Sequence, residues 1–336
     1  MHLIAGASIS KAFSVLSGPS EKQSVFRRLF RPGYERLTAV DDVSFTVTEG
    51  ESVAYLGPNG AGKSTMLKMI CGVLVPTSGD LRVMGMTPWK DRSKLARHLG
   101  VVFGQRTQLL WDLAVVESFR FLATMYGLGR DEYRQNLSFL VARFGIDQLM
   151  HRPVRELSLG QRTRVEIAAA LLHRPKIIIL DEPTIGMDLL VKDQIREALA
   201  AIRREFGASL ILASHDLSDV EALCDRALLV VSGRLKFDGT LAELKNAAQG
   251  RRTVEFTLRS RFVPTSVVDL GLPSDMSLEA SGGRVRLTYS SERIPTVDVV
   301  SSVLRHVEIT DIAIMGPSLE DVVRSLYSGG EWPDAS

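Results

Sequence analysis

The spacing of apolar residues divides most of the chain into alternating predicted strands and helices. Residues 43–47 alternate apolar and polar positions, as a strand with one buried face does, and the apolar segment 53–56 predicts a second strand. Farther along, the pattern predicts a helix over 161–173, a buried strand over 177–181, a helix over 190–206 and a strand over 208–213. This alternation favours a mostly parallel sheet with helices on its faces.

Two other stretches have a distinct character. Residues 7–13 predict a short strand, and the region from about 106 to 156 is mostly helical, with candidate helices over 115–126 and 132–144. Between them in the chain, aromatic residues recur at every fourth position of a basic segment, at Phe26, Phe30 and Tyr34. On a helix they would form an apolar face for a membrane surface or a partner. The Pro-Gly pair inside the segment interrupts such a helix, so a packed surface turn is the preferred interpretation.

The composition of the chain changes after residue 247, and the Gln-Gly-Arg-Arg segment at 249–252 is a predicted linker. The tail then predicts strand 253–258, helix 264–270, hairpin 277–289 turning at Gly282-Gly283, helix 294–305, strand 307–314 and helix 318–327. That order indicates a small split βαβ sandwich. We therefore expect two domains, residues 1–247 and 248–336.

Composition excludes several classes of protein. With 45% hydrophobic and 24% charged residues the chain is globular in type, and its formal net charge of +2 gives no bulk field for nucleic acid, which is not an expected partner. Cys71 and Cys224 lack metal-ligand spacing, which favours buried thiols in a reducing compartment. No apolar run approaches the roughly 20 residues that span a bilayer, and residues 1–6 do not resemble a secretory signal. Any link to a membrane therefore needs a partner.

A phosphate-binding loop follows the predicted strand at 53–56. Residues 57–64 satisfy the pattern G-x-x-x-x-G-K-[ST] and precede a predicted helix, as the function of this loop requires. Its glycines let backbone N–H groups turn towards phosphate oxygens, and the helix N-terminus adds a favourable partial charge. Lys63 is expected to bridge the β- and γ-phosphates, and the Ser64 hydroxyl to bind Mg²⁺. The predicted nucleotide contacts are Gly57, Pro58, Asn59, Gly60, Ala61, Gly62, Lys63, Ser64 and Thr65.

The buried strand at 177–181 carries an acidic pair to its carboxyl end, the edge at which parallel sheets bind ligands. Asp181 suits the Mg²⁺ shell, and Glu182 can polarise a water molecule for in-line attack on the γ-phosphate. Acidic pairs after strands are also common surface features. The phosphate loop earlier in the chain is what favours the catalytic interpretation.

Residues 157–161, Leu-Ser-Leu-Gly-Gln, lie between these two nucleotide motifs. In sequence and position they resemble the signature motif of the ABC ATPase family. Leu159 stands where the family most often has glycine, whereas Ser158 and Gly160, the positions expected to meet phosphate, are kept. Ser158 also suits the N-cap of the following helix, and both roles are compatible because a helix N-terminus is itself an anion site.

The resemblance implies further roles. Gln105 matches the Q-loop residue that senses Mg²⁺ and water, His215 matches the switch histidine near the γ-phosphate, and residues 186–188 match the D-loop at the dimer seam. Tyr34 lies where the family places an aromatic residue on adenine, with Phe30 as its rival. The implied catalytic residues are Lys63, Gln105, Glu182 and His215; the implied Mg²⁺ ligands are Ser64, Gln105 and Asp181; the implied nucleotide contacts beyond the phosphate loop are Tyr34, Ser158, Gly160 and Gln161.

The resemblance covers about residues 7–245 and implies a P-loop NTPase fold of the α/β class. This fold has a mostly parallel core sheet, an antiparallel β subdomain and a helical subdomain at about 106–165. It implies an ATPase that uses ATP and Mg²⁺, forms a head-to-tail dimer with a second copy or a homologous ATPase, and lies on the cytoplasmic face of a membrane against a transmembrane permease. Residues 109–113 lie where the family meets that permease, although Trp111 can instead be a core residue.

The tail is a small α+β accessory domain, for which a ferredoxin-like arrangement is one interpretation. Residues 318–321, Ser-Leu-Glu-Asp, resemble the extra domain of some exporter ATPases, which favours export. Two other classes of function are weaker. A soluble ABC protein of ribosomes would be expected to carry two cassettes, and one of DNA repair a long coiled coil, for which residues 105–158 are too short. A non-enzymatic regulator would not need Lys63, Asp181 and Glu182 together.

Overall fold

The computed structural model describes residues 2–16, 34–104, 107–246, 251–259, 264, 266–291, 293–315, 319 and 323. Met1–Gly239 forms most of one compact unit, and Thr240–Asp334 forms a second. The domain boundary expected at residue 247 falls in the segment 247–250, which lies outside the described residues, and it stays a prediction.

A three-stranded antiparallel sheet is formed by β1 (His2–Leu16), β2 (Tyr34–Thr48) and β4 (Ser78–Val83), with β1 in the middle. Strand β1 is twice as long as the 7–13 segment that its pattern predicts. It pairs with β2 as far as the Leu16–Tyr34 partners, so ladder hydrogen bonds extend the strand beyond its apolar positions. The basic aromatic segment before Tyr34 lies outside the described residues.

The central sheet of this unit has six strands: β3 (Ser52–Leu56), β5 (Leu99–Phe103), β6 (Ile177–Asp181), β7 (Ser209–Ala213), β8 (Arg226–Val231) and β9 (Arg234–Thr240). Their order is β5-β6-β7-β3-β8-β9, and the first five are parallel. Every residue of β3, β6 and β7 is buried, as expected for strands covered on both faces. The mostly parallel α/β core that the sequence predicts is confirmed.

Helices connect and cover these strands. They are α1 (Lys63–Ile70), α2 (Arg92–Ala96), α3 (Val115–Tyr126), α4 (Arg130–Phe144), α5 (Leu159–Leu171), α6 (Leu189–Phe206) and α7 (Leu217–Leu223). The helical region between β5 and β6 is formed by α3, α4 and α5, and glycines with positive φ end the first two, at Gly127 and Gly145. In the part of the chain that the structure describes, no helix combines the length and apolar content needed to cross a membrane.

The second unit contains α8 (Leu241–Asn246) and a four-stranded antiparallel sheet. Its strands are β10 (Arg251–Leu258), β11 (Ser277–Ser281), β12 (Arg284–Ser290) and β13 (Ile309–Met315), in the order β11-β12-β10-β13, with α9 (Thr296–His306) between the last two along the chain. Alternate residues of β10 and β12 form one apolar core with α9, around Phe256, Leu287 and Val303.

One predicted element of the second unit differs from the structure. Instead of a helix over 264–270, the described residues contain a single 3₁₀ turn at Val268–Leu270. Gly271 follows with a φ of 65° and stops any continuation, and the β-branched Val267 and Val268 have low helix propensity. Of the predicted helix 318–327, only Leu319 and Val323 are described, and both are buried.

His173, just after α5, is a buried ionisable group of the first unit. Its ring stacks on Tyr126 with centroids 3.7 Å apart, and its Nε2 donates to the carbonyl oxygen of Leu99 at 3.1 Å. Its Nδ1 is buried and has no hydrogen-bond partner among the described residues. Burial lowers the pKa of His173 from 6.5 to about 4, so the folded chain keeps this imidazole neutral.

We predict that His173 makes the free energy of unfolding fall as the pH decreases from 6.5 to about 4. In that window the unfolded chain binds the proton and the folded chain does not, which lowers stability by about 3 kcal/mol at the acid end. Urea unfolding at several pH values would show this. His173→Gln should flatten this part of the pH profile, and His151→Gln, which changes an exposed imidazole, should leave it unchanged. Parallel profiles for the wild type and His173→Gln would contradict the prediction.

Candidate functional site

The phosphate loop joins β3 to α1, and close backbone packing fixes its path. A Cβ atom on Gly57 would lie 2.4 Å from the carbonyl oxygen of Val230, and one on Gly62 would lie 2.2 Å from that of Ala39. Gly62 also has a φ of 100° and occupies the N-cap position of α1. Only glycine fits at either position without moving the backbone.

Lys63 begins α1 and is buried inside the loop. Its Nζ donates to the carbonyl oxygens of Gly57 at 2.7 Å and of Pro58 at 3.3 Å. Burial lowers the pKa of Lys63, and the nearby carboxylates of Glu182 and Asp181 act in the opposite direction. A cation therefore lies at the centre of the loop, on the side where a phosphate would bind.

Asp181, the last residue of β6, faces the same loop. It is buried, and the Ser64 hydroxyl hydrogen-bonds its carboxylate. Burial raises the pKa of Asp181, and its buried Oδ1 has no hydrogen-bond partner among the described residues. A buried carboxylate oxygen without a partner next to a hydroxyl fits a hard cation such as Mg²⁺. This ion binds few protein ligands and takes its other coordinating oxygens from phosphate and water.

Glu182 and His215 meet at the ends of the adjacent strands β6 and β7. The Glu182 Oε2 lies 2.7 Å from the Nδ1 of His215 and also accepts the His215 backbone N–H at 3.4 Å. Glu182 has a φ of 53°, a conformation that is strained for a residue with a Cβ, and its N–H donates to the carbonyl oxygen of Ala213 at 2.8 Å. The β7 backbone thus helps to hold the carboxylate in place.

A cleft collects most of the predicted groups in one place. Its lining is Ala39, Asn59, Gly60, Gly62, Lys63, Ser64, Thr65, Asp181 and Glu182. Gln105 lies outside the described residues, so its predicted contacts with Mg²⁺ and water stay a prediction. The backbone just before it is in place, because the Gly104 N–H donates to the carbonyl oxygen of Asp181 at 3.1 Å.

The signature residues form the start of α5. Ser158 is the N-cap, and it exchanges hydrogen bonds with Gln161: the Gln161 N–H donates to the Ser158 Oγ at 3.3 Å, and the Ser158 N–H donates to the Gln161 Oε1 at 3.0 Å. This capping box explains why a Ser-x-x-Gln sequence starts the helix. Ser158 is exposed, and neither it, Gly160 nor Gln161 lines the phosphate cleft.

A buried carboxylate joins α5 to the segment that follows Gln105. Glu166 accepts the Thr107 hydroxyl at 2.7 Å and the Gln108 N–H at 2.7 Å, and burial raises its pKa. One turn earlier on α5, Arg162 lies over the ring of Trp111 at 5.6 Å. Trp111 is 47% exposed, so the interpretation of this residue as part of the core is wrong.

Sequence reasoning missed two residues that follow Glu182 and His215 along the chain, Thr184 and Asp219. Both are buried, and the Thr184 hydroxyl donates to the Asp219 carboxylate. A threonine after Asp-Glu-Pro and an aspartate in the first turn of a helix are ordinary features, so a single sequence carries no cue to this contact. Of the two predicted adenine contacts, Tyr34 begins β2 and Phe30 lies outside the described residues, and the adenine role stays a prediction.

Comparison with known proteins assigns this chain to a family. The profile of the ABC transporter family (ABC_tran) matches residues 40–185. The ABC transporter ATP-binding protein NatA of Bacillus subtilis is 38% identical over 217 residues, which cover 65% of this chain and 88% of NatA. The chain belongs to the ATP-binding subunits of ABC transporters. It is therefore an ATP-binding and ATP-hydrolysing protein.

Other relatives extend the match along the chain. The linearmycin resistance ATP-binding protein LnrL of Bacillus subtilis is 28% identical over 300 residues, covering 88% of this chain and 96% of LnrL. Among solved structures, a dimeric post-hydrolysis state of the ATP-binding cassette MJ0796 bound to ADP and Pi superposes with a TM-score of 0.60 at 25% identity. The superposed residues cover 71% of this chain and 98% of the MJ0796 cassette. The P-loop ABC ATPase fold expected from the sequence is thus confirmed.

The packing of the loop yields a prediction for its glycines. Gly60 has a φ of 84° but open space around its Cα, so Gly60→Ala should cost only the conformational strain, about 1–2 kcal/mol. Gly62→Ala adds a collision with the Ala39 carbonyl and should cost more and abolish ATP binding. Urea unfolding and equilibrium dialysis with ATP would measure the two effects. Gly127→Ala, at an open position with positive φ far along the chain, controls for strain alone; equal losses in all three variants would contradict the steric argument.

Proposed function

We propose that this chain is the ATPase subunit of an ABC exporter that works as a head-to-tail dimer on the cytoplasmic face of a membrane. One observation carries the proposal: Lys63, Asp181 and Glu182 converge on a single cleft, while the exposed Ser158 does not line it. A site whose expected contacts from the signature motif lie outside the cleft needs a second chain to supply them. The dimeric form of the related cassette MJ0796 supports this arrangement.

In the proposed site, the backbone N–H groups of the phosphate loop and the Lys63 ammonium bind the β- and γ-phosphates of ATP. The residues that would hold Mg²⁺ are Ser64, Gln105 and Asp181, and the ion would supply positive charge beside the phosphate oxygens. Glu182 accepts a proton from the attacking water. His215 holds the Glu182 carboxylate through their 2.7 Å contact, which keeps the base oriented towards the γ-phosphate.

In the proposed dimer, each chain contributes its signature motif to the cleft of the other. The Ser158 hydroxyl and the first N–H groups of α5 then face the γ-phosphate from the opposite side, where a helix N-terminus favours an anion. ATP binding would hold the two chains together, and hydrolysis would remove the γ-phosphate that both contact. Tyr34 is proposed to contact adenine.

The proposed contact with the transmembrane permease lies on the surface around Trp111. Leu113, Phe121 and Met125 are exposed apolar side chains in the same helical region, and exposed apolar groups of this kind mark contact sites. Thr107 and Glu166 connect this segment to α5, so a movement of the permease would reach Ser158. Export is proposed as the direction because the tail resembles that of exporter ATPases and LnrL, a resistance protein by name, matches over nearly its whole length.

We predict that Glu182→Gln slows ATP hydrolysis by roughly a hundred- to ten-thousandfold, because the amide cannot accept the proton of the attacking water. ATP binding should persist, and dimers should accumulate with ATP on a sizing column. Phosphate release measured under saturating ATP tests the rate. Glu205→Gln, which neutralises an exposed glutamate at the far end of α6, is the matched control. Hydrolysis by Glu182→Gln at the wild-type rate would remove Glu182 from the proposed role.

We also predict that Trp111→Ala leaves the ATPase rate of the purified chain unchanged but reduces its stimulation by the permease in reconstituted vesicles. The side chain is exposed, so its loss should cost little stability, whereas an aromatic anchor at an interface is worth about 2 kcal/mol or more. Leu37→Ala, at an exposed apolar residue of β2, should affect neither rate. Full stimulation of the Trp111→Ala variant would exclude Trp111 from the contact.

A further inference from the structure

A buried polar cluster includes residues close along the chain to Glu182 and His215 and has no role in the function proposed above. Its centre is Asp219, in the first turn of α7, which is 0% exposed. One carboxylate oxygen, Oδ2, accepts the hydroxyl of Thr184, which is 2% exposed. The other, Oδ1, accepts the Nε of Arg196 at 2.7 Å and lies 2.6 Å from an Arg196 terminal nitrogen.

Further contacts join the same two helices. The Lys192 Nζ lies 2.5 Å from the Asp216 Oδ2, and a terminal nitrogen of Arg196 donates to the Ser218 Oγ at 2.7 Å. Lys192 and Arg196 are one turn apart on α6, and Asp216 is the N-cap of α7. The start of α6 and the start of α7 are therefore held together by directional, mostly charge-assisted hydrogen bonds.

The position of this cluster along the chain connects it to Glu182, His215 and the D-loop. Thr184 lies two residues after Glu182, α6 begins directly after the D-loop residues 186–188, and Asp216 follows His215. Asp219 thus contacts the segment that leaves the Glu182 strand, and it anchors the helix that follows the D-loop to the helix that follows His215. A displacement of either helix start must move the other or break buried hydrogen bonds.

Conformational stability alone does not require this arrangement. A buried ion pair contributes little net stability because desolvation offsets the attraction, whereas loss of one partner leaves a costly buried charge. The arrangement instead favours one fixed geometry among the three segments it touches. Its contacts therefore suit a positioning role better than a stabilising one.

We propose that Asp219 is a positioning residue that couples the D-loop to the Glu182–His215 pair, through its simultaneous bonds to Thr184 and Arg196. The inference rests on the function proposed for Glu182. Closure of the D-loop against a second chain then sets the position of the catalytic carboxylate, and hydrolysis is rapid only when the partner is in place. The residue acts through Thr184 and Arg196 and does not contact the nucleotide.

Thr184 offers the cleanest test, because Thr184→Val removes the hydroxyl at nearly constant volume and Thr184→Ser keeps it. For the full-length dimer, we expect Thr184→Val to lower kcat for ATP hydrolysis by about ten- to hundredfold, the size typical of a misplaced catalytic group. The KM for ATP and the ATP-dependent dimerisation should stay at wild-type values. Thr184→Ser should restore kcat. Arg203→Ala should change none of these quantities, because it removes contacts between α6 and the far end of α7, to the Leu223 carbonyl and to the exposed Asp225.

The possible results distinguish a failure of this inference from a failure of the role proposed for Glu182. A wild-type kcat in Thr184→Val, alongside an inactive Glu182→Gln, overturns the coupling role of Asp219 and leaves the catalytic assignment intact. A low kcat in both Thr184→Val and Thr184→Ser, with loss of thermal stability, reduces the cluster to a structural role and also overturns the inference. Hydrolysis by Glu182→Gln at the wild-type rate removes Glu182 from the catalytic role on which this inference rests.

Discussion

The burial of opposite charges at the carboxyl edge of the central sheet is the constraint on which the rest of the site depends. Lys63 and Asp181 are both more than nine-tenths buried, and each would be costly to hold there alone. Strands β3 and β6, buried at every residue, fix the two backbones that carry them. The folded core thus holds in place a cation and a carboxylate oxygen that has no partner among the described residues, and both suit a nucleotide and its metal ion.

Much of this arrangement could be predicted from the sequence, because it depends on local backbone chemistry. The phosphate loop needs glycine where the chain passes close to Ala39 and Val230, and an apolar strand ending in Asp-Glu must present both acids at the sheet edge. Such signals lie within a few consecutive residues. The boundaries of β6 agree with the apolar pattern for the same reason.

Other features could not be predicted, because they depend on contacts between residues far apart in the chain. Asp219 meets Thr184 across 35 positions, and Glu166 meets Thr107 across 59. Neither acid differs in its sequence context from an exposed helical residue. The helix predicted over 264–270 in the tail is absent for another reason. This segment has the apolar content of a helix, but Gly271 and the valines at 267 and 268 limit it to one 3₁₀ turn in the described residues.

The two buried acids, Glu166 and Asp219, also determine where the first unit can change its conformation. Glu166 fixes α5 to the segment after Gln105 by hydrogen bonds, and Asp219 fixes α6 to α7 in the same way. Between α5 and α6 the contact has an apolar part, since a Cβ on Gly160 would lie 3.1 Å from a Val191 methyl. It also has one long, exposed hydrogen bond, from the Arg164 Nη1 to the Gln194 Oε1 at 3.5 Å. Apolar contact is not directional, so a small shift between these helices breaks no buried hydrogen bond at Gly160 and Val191 and loses at most the exposed Arg164–Gln194 bond. A relative movement of α5 and α6 therefore costs the least free energy at the contact between Gly160 and Val191.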